Sequence, residues 1–186
     1  MGPAAAAAVR VIAGSLKGRR LQTPTWEGLR PTSDKLRETL FNILSPRITG
    51  ASVLDAYAGT GAVGIEALSR GASRVTFIER DRRAQALIAA NLAHCGVPQD
   101  AYVIIRASVG RALDDLHPAS FDIMIFDPPY DEQVEAVLAA AAERLAPGGV
   151  LVVEHARRRP PPDRIGVLPR SREVTSGDSA LALYMA

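Results

Sequence analysis

The 186-residue chain holds one cysteine, Cys95, so an internal disulfide and a cysteine-based zinc site are both excluded. Such sparing use suits a reducing compartment, and a cytoplasmic location is expected. No apolar run approaches the roughly 20 residues a membrane-spanning helix requires. Residues 1–8 are small and Ala-rich, with neither a basic start nor a leucine-rich core. That composition is unlike a secretory signal and predicts a disordered N-terminus. His94, His117 and His155 have no ligand spacing, and no metal is expected. Internal repeats are lacking, as is any linker long enough to separate a second full domain. No membrane partner is expected, and the expected state is a monomer.

What is present is a hydrophobic share of 47%, with ample chain to bury one core. The formal net charge is only +2, but it is unevenly spread. Basic residues outnumber acidic ones by more than two to one in residues 1–50, and acids outnumber bases in residues 51–150. A basic flank on an acidic body suggests that the flank meets a polyanion while the body holds a small ligand. Ordinary solvated surface is the alternative.

Val9 to Leu21, punctuated by Gly14 and Gly18, predicts a β-hairpin or ribbon. Its Lys17, Arg19 and Arg20 can grip phosphates. Thr32-Ser33-Asp34 supplies helix-capping chemistry, and Leu36, Leu40, Ile43 and Leu44 then fall on one helical face with Phe41 beside it. Pro46 is expected to end that helix. Arg37, between core positions, is either solvated or aimed at a site. Strands and helices then alternate. Strands are predicted over residues 52–55, 75–79, 102–105, 121–126 and 150–154. Helices are predicted through Ile65 to Ser69, from Asp81 to Cys95, from Ser108 to Leu116, and from Glu132 to Leu145, the last closed by Pro147-Gly148-Gly149. Arg157 to Arg164 reads as an exposed loop. Arg172 to Thr175 and Ala180 to Tyr184 pair as a hairpin across Ser176-Gly177-Asp178. Repeated βα units make this an α/β protein with a doubly wound, mostly parallel sheet and right-handed crossovers.

Two stretches carry chemistry. Asp55-x-x-x-Gly59-x-Gly61-x-x-Gly64 follows a strand and opens a helix, and its glycines let the backbone turn sharply and approach a ligand. An acid at Asp55 would repel a pyrophosphate but suits a cationic aminoacyl group. Glu79 ends the next strand, where a carboxylate can accept both hydroxyls of a ribose. The second stretch is Asp127-Pro128-Pro129-Tyr130. Two consecutive prolines cannot continue a sheet ladder, so the tetrapeptide sits at the C-terminal edge of the strand before it, where open α/β sheets bind ligands. A Pro-rich strand stop is the plainer alternative.

The loop and Glu79 together resemble motifs I and II of the S-adenosylmethionine-dependent methyltransferases, and Asp127-Pro128-Pro129-Tyr130 resembles their amino-methylating motif. The likeness narrows through Val11-Ile12-Ala13-Gly14, Lys17-Gly18-Arg19, Leu29-Arg30-Pro31-Thr32, Arg37-Glu38-Thr39-Leu40-Phe41-Asn42 and Ala58-Gly59-Thr60-Gly61-Ala62-Val63-Gly64, which occur in that order. In this the chain is similar to the bacterial 16S rRNA (guanine(966)-N(2))-methyltransferase family. The resemblance implies a seven-stranded Rossmann-like sheet ending in an antiparallel hairpin (residues 51–186), with residues 9–50 as an RNA-contacting extension. S-adenosylmethionine is the implied cofactor, held by Asp55, Tyr57, Ala58, Gly59, Gly61, Glu79, Arg80, Ser108 and Asp127. Asp127, Pro128 and Tyr130 are the implied catalytic residues. Lys17, Arg19, Arg20, Arg30, Thr32 and Arg37 would meet 16S rRNA, within the small ribosomal subunit or an assembly intermediate. The chain departs mildly from the family pattern at Ala13, where a glycine is usual, and in the Arg157 to Pro162 loop. A DNA or other RNA amino-methyltransferase, or a non-catalytic assembly factor that binds rRNA, remain as alternatives.

Overall fold

Short apolar runs bounded by turn residues form the strands, and those at the centre of the sheet are buried on both faces, as a parallel sheet demands. In chain order these are β1 (Ser52–Ala56), β2 (Arg74–Ile78), β3 (Tyr102–Ile105), β4 (Phe121–Phe126) and β5 (Leu145–Ala156), followed by β6 (Arg164–Ile165), β7 (Leu168–Ser176) and β8 (Ser179–Met185). The computed structural model describes residues 9–26, 33–129 and 132–185. The expected disorder of residues 1–8 and the site residues Arg30, Thr32 and Tyr130 lie outside the described residues.

One sheet results, with strand order β3-β2-β1-β4-β5-β8-β7-β6. The first five strands pair in parallel, and β8, β7 and β6 add antiparallel. The seven longer strands form the expected sheet, and the two-residue β6 extends its edge from the Arg- and Pro-rich loop. Crossover helices, together with a helix ahead of the first strand, cover both faces. Helices α1 (Asp34–Ile48), α2 (Ala62–Ser69) and α3 (Arg82–Cys95) pack on one side with Val53, Ile123 and Val152. Helices α4 (Val109–Asp115) and α5 (Glu135–Ala142) pack on the other with Leu54, Met124 and Leu151. The chain runs from β1 outward through β2 and β3, then returns to β4 on the opposite flank of β1. That reversal opens a crevice at the C-terminal ends of β1 and β4.

The basic segment before α1 is a narrow ribbon. Arg10 and Arg20 form one antiparallel bridge, and the Leu21 and Val11 amides donate to the Val9 and Arg19 carbonyls at 2.8 and 2.9 Å. Val9, Val11 and Leu21 enter the same apolar cluster as α1 to α3, so the ribbon is packed onto the sheet domain's own core. Gly14 permits the closest approach. It has φ +86°, and a Cβ there would lie 1.8 Å from the Ser69 carbonyl oxygen. The Glu66 carboxylate of α2 accepts from the Ile12 and Ala13 amides at 2.7 and 3.0 Å and from Arg70 Nε at 2.7 Å. Glu66 is fully buried, and three donors offset the cost of keeping it there.

Two expectations about element ends are corrected. Pro46 does not stop α1, which runs two residues further to Ile48 and ends where Thr49 turns extended (φ −66°, ψ 122°). A proline in the last turn removes a single intrahelical donor, and packing of Ile48 in the core outweighs that loss. Similarly, α5 spans only Glu135–Ala142, and Leu145 belongs to β5. Leu145 pairs with Phe121, and the register then slips so that Ile123 faces Val150. Pro147-Gly148-Gly149 is therefore a bulge within a strand, not the terminator of a helix.

Candidate active site

A cavity of about 780 Å³ occupies the crevice at the strand ends. Its floor is the turn after β1. Gly59 and Gly61 have φ +55° and +77°, values that an L side chain adopts at a cost. Tyr57 nevertheless has φ +63°, a strained conformation that holds its ring beside the cavity. Gly64 serves packing instead, since a Cβ there would meet the Phe77 ring at 2.2 Å.

Two carboxylates hold this turn from beneath. Asp55 Oδ2 accepts from the Gly64 amide at 2.8 Å. Glu79 Oε2 accepts from the Gly59 amide at 3.0 Å, and its Oε1 from the Asp81 amide at 2.9 Å. Burial pushes the Asp55 carboxyl well above the usual carboxylate range; the Gly64 N–H opposes this, while the charges of Asp127 and Glu79 reinforce it. Burial also raises the Tyr57 phenol, whose hydroxyl donates to Glu132 Oε1 at 2.6 Å.

The expected cofactor residues Asp55, Tyr57, Ala58, Gly59, Glu79, Arg80, Ser108 and Asp127 all line this cavity. Gly61 lies behind the lining, where a Cβ would contact Ile88 at 3.2 Å. Ser108 occupies the N-cap position of α4, its hydroxyl making no capping hydrogen bond. Pro128 and Pro129 follow Asp127 on the wall. Lys17, Arg19 and Arg20 are exposed on the ribbon, apart from the cavity.

Arg37 departs from the expected RNA contact. It is fully buried, with Nη2 donating to the Arg10 carbonyl at 2.6 Å and to Asp34 Oδ1 at 2.9 Å. Burial lowers its pKa, against the raising effects of Asp34 and Glu66. A side chain enclosed between α1 and the ribbon cannot reach a phosphate; here it ties the two together.

Several participants carry no motif in the sequence. Asn91 of α3 is fully buried. Its Oδ1 accepts from the Gln22 amide at 2.7 Å, and its Nδ2 donates to the Gln22 and Thr60 carbonyls at 3.1 and 3.0 Å. A polar residue at an inward helical position, beside Leu87, Ile88, Leu92 and Cys95, was the available signal. Trp26, the only tryptophan, lines the cavity under the Arg83 guanidinium, which lies 4.9 Å from its ring centroid. Glu154 also lines it, an acid ending β5's apolar run much as Glu79 follows β2.

The whole described body, from ribbon to hairpin, corresponds to one family model, Conserved hypothetical protein 95, which matches residues 9–185. The chain belongs to that family. Among the family's relatives of this chain is ribosomal RNA small subunit methyltransferase D of Haemophilus influenzae, 36% identical over 98% of this chain and 96% of that protein. The protein of the same name from Escherichia coli K12 is 52% identical over 85 residues, 46% of this chain and 43% of that protein. The solved structure of Escherichia coli yhhF, provisionally named a methyltransferase, superposes with a TM-score of 0.83 at 34% identity, covering 95% of this chain and 97% of that one. The chain is thus a member of a methyltransferase family with a Rossmann-like fold.

Proposed function

We propose that this protein transfers one methyl group from S-adenosylmethionine to the exocyclic N2 amine of a guanine in 16S rRNA, position 966 by family resemblance. The substrate is the small ribosomal subunit or an assembly intermediate, the setting the cytoplasm, and the acting species a monomer. The observation that carries this reading is the meeting of Asp127 and Pro128 with the glycine turn and Glu79 around one cavity.

The donor set suits the cofactor. Glu79 lies where a ribose diol would be received, Asp55 offers a buried carboxyl near a cationic aminoacyl group, and the backbone beyond Tyr57 brings N–H groups to the same wall. Ser108 and the start of α4 would meet the adenine, with Arg80 beside the ribose. Bound S-adenosylmethionine supplies an electrophilic methyl group.

The chain's own task is to prepare the nitrogen. A base amine is flat because its lone pair is delocalised into the ring, which makes it a poor nucleophile. The Asp127 carboxylate and the Pro128 carbonyl can each accept one of its N–H groups, favouring a tetrahedral nitrogen with its lone pair aimed at the methyl. Alignment of the two reactants supplies much of the remaining acceleration. One nitrogen proton leaves as the new N–C bond forms and the methyl–sulfur bond breaks, the sulfur keeping its electron pair, and Asp127 can pass the proton to water. By the family resemblance, Tyr130 would stack on a base taken out of its helix, and Arg30 and Thr32 would contact the RNA. Residues 9–50, through Lys17, Arg19 and Arg20, hold RNA phosphates for the methyltransferase domain of residues 51–186.

The test is transfer of labelled methyl from S-adenosylmethionine into unmodified small-subunit rRNA, with mass mapping of the product. A single N2-methylguanine is expected. Label in DNA or protein, with none in rRNA, overturns the reading.

A further inference from the structure

We propose that Glu154 selects the base, accepting the N1–H of guanine while Asp127 and Pro128 hold the adjacent N2 amine. This deepens the function proposed above and rests on it.

Strand register brings the two acids together. Ile125 of β4 faces Val152 of β5 in the parallel ladder, and Phe126 faces Val153. Ile125 and Val152 both pack on the face covered by α1 to α3. Side chains alternate along a strand, so the residues two further on, Asp127 and Glu154, return to that face side by side. Neighbouring strands lie about 4.8 Å apart, which sets the spacing of the two backbones. Glu154 in turn faces Leu181 of β8. Asp127, Glu154 and Leu181 all line the cavity, roofed by Leu36 and Leu40 of α1. Glu154 is only 8% exposed, so it meets a bound base with little water between them.

Base chemistry then discriminates. Three nucleobases carry an exocyclic amine. In adenine the ring nitrogen beside it, N1, is an acceptor, and in cytosine N3 is likewise an acceptor. Guanine alone places a donor, N1–H, next to its amine. An ionised carboxylate accepts and cannot donate. Held as the carboxylate, Glu154 beside Asp127 attracts the guanine edge and repels the lone pair that adenine or cytosine would present. Removing a matched donor from such a buried contact costs about tenfold to a hundredfold in discrimination.

The experiment uses small subunits reconstituted with 16S rRNA carrying either guanine or 2-aminopurine at the target position. 2-Aminopurine keeps the exocyclic amine but has a lone pair at N1. The unaltered protein is expected to methylate guanine at least about tenfold faster at limiting substrate. In Glu154→Gln, whose amide can turn a donor toward N1, that preference is expected to shrink by about tenfold while calorimetric S-adenosylmethionine binding persists. Equal rates on the two substrates with the unaltered protein would falsify the role of Glu154 without any variant. An unchanged preference in a cofactor-binding Glu154→Gln protein also overturns it, because a packing role would slow both substrates alike. No transfer to either subunit by the unaltered protein removes the proposed function, and this inference with it.

Discussion

The Asn91 side-chain amide donates to the carbonyl of Thr60, in the turn between Gly59 and Gly61, at 3.0 Å. The same amide exchanges two hydrogen bonds with the Gln22 backbone, just beyond the basic ribbon. One buried side chain on α3 thus braces the glycine turn against the segment that follows the basic ribbon, and all of its polar capacity but one lone pair is used.

Asn91→Leu keeps the branching of the side chain and removes these bonds, leaving the buried Thr60 carbonyl without this donor while the Gln22 backbone turns to water. The expected cost is about 2–4 kcal/mol of unfolding free energy, read from denaturant melts. Calorimetric S-adenosylmethionine affinity should fall by about tenfold as the turn loosens. Unchanged cofactor affinity in a folded variant would show that the turn needs no brace.

Asp55 makes stability depend on pH. Its folded carboxyl titrates well above its ordinary value of 3.8, chiefly through burial. From about pH 4 upward through that raised pKa, the native state holds a proton that the unfolded chain has released, so stability falls as pH rises across this window. Asp55→Asn keeps an oxygen acceptor for the Gly64 amide and removes the titration. The variant should gain stability relative to the parent as pH rises from about 4 toward neutrality. Parallel melting curves across that range would refute the assignment. With a cationic aminoacyl group bound nearby, the parent's cofactor affinity should rise over the same window and the variant's should stay flat.

Asp127→Ala removes one of the two acceptors proposed for the target amine. Transfer is expected to drop by at least about a hundredfold, with S-adenosylmethionine binding kept within a few-fold. A comparable loss of cofactor affinity would instead make Asp127 chiefly a cofactor ligand.

The exposed Lys17, Arg19 and Arg20 are the proposed phosphate contacts. Their triple Ala replacement should weaken RNA binding and reduce the slope of log K against log salt by about two to three, at roughly 0.7–0.9 for each phosphate left without its cation. Cofactor affinity should be unaffected. An unaltered salt slope would locate the RNA surface elsewhere on the protein.

Much of this molecule was legible in its local sequence. The bounds of β3 and β4, the Asp81 and Gly96 caps of α3, the Ser33 cap of α1 and the hairpin turn before β8 all follow from apolar periodicity and turn chemistry between near neighbours. The glycine turn, Glu79 and Asp127 were also recognisable, because backbone needs at a strand end restrict the residue types that can stand there. At two element ends, distant partners overruled local preference. Pro46 was carried into α1 by core packing, and Pro147-Gly148-Gly149 was absorbed as a bulge because Leu145 found Phe121.

The remainder was decided by tertiary structure alone. Arg37 could be read as solvated or aimed at a site, and enclosure between α1 and the ribbon made it a tie. Glu66 meets Ile12 across 54 residues, and Asn91 meets Gln22 across 69. Glu154 joins Asp127 in lining one cavity through the pairing of β5 with β4. Nothing in the spacing of such residues encodes their meeting, since it depends on which helix faces cover which side of the sheet. The composition and local pattern of this chain determined its elements and its glycine turn; the packing of those elements decided which buried polar groups hold the turn, and which acid stands beside Asp127.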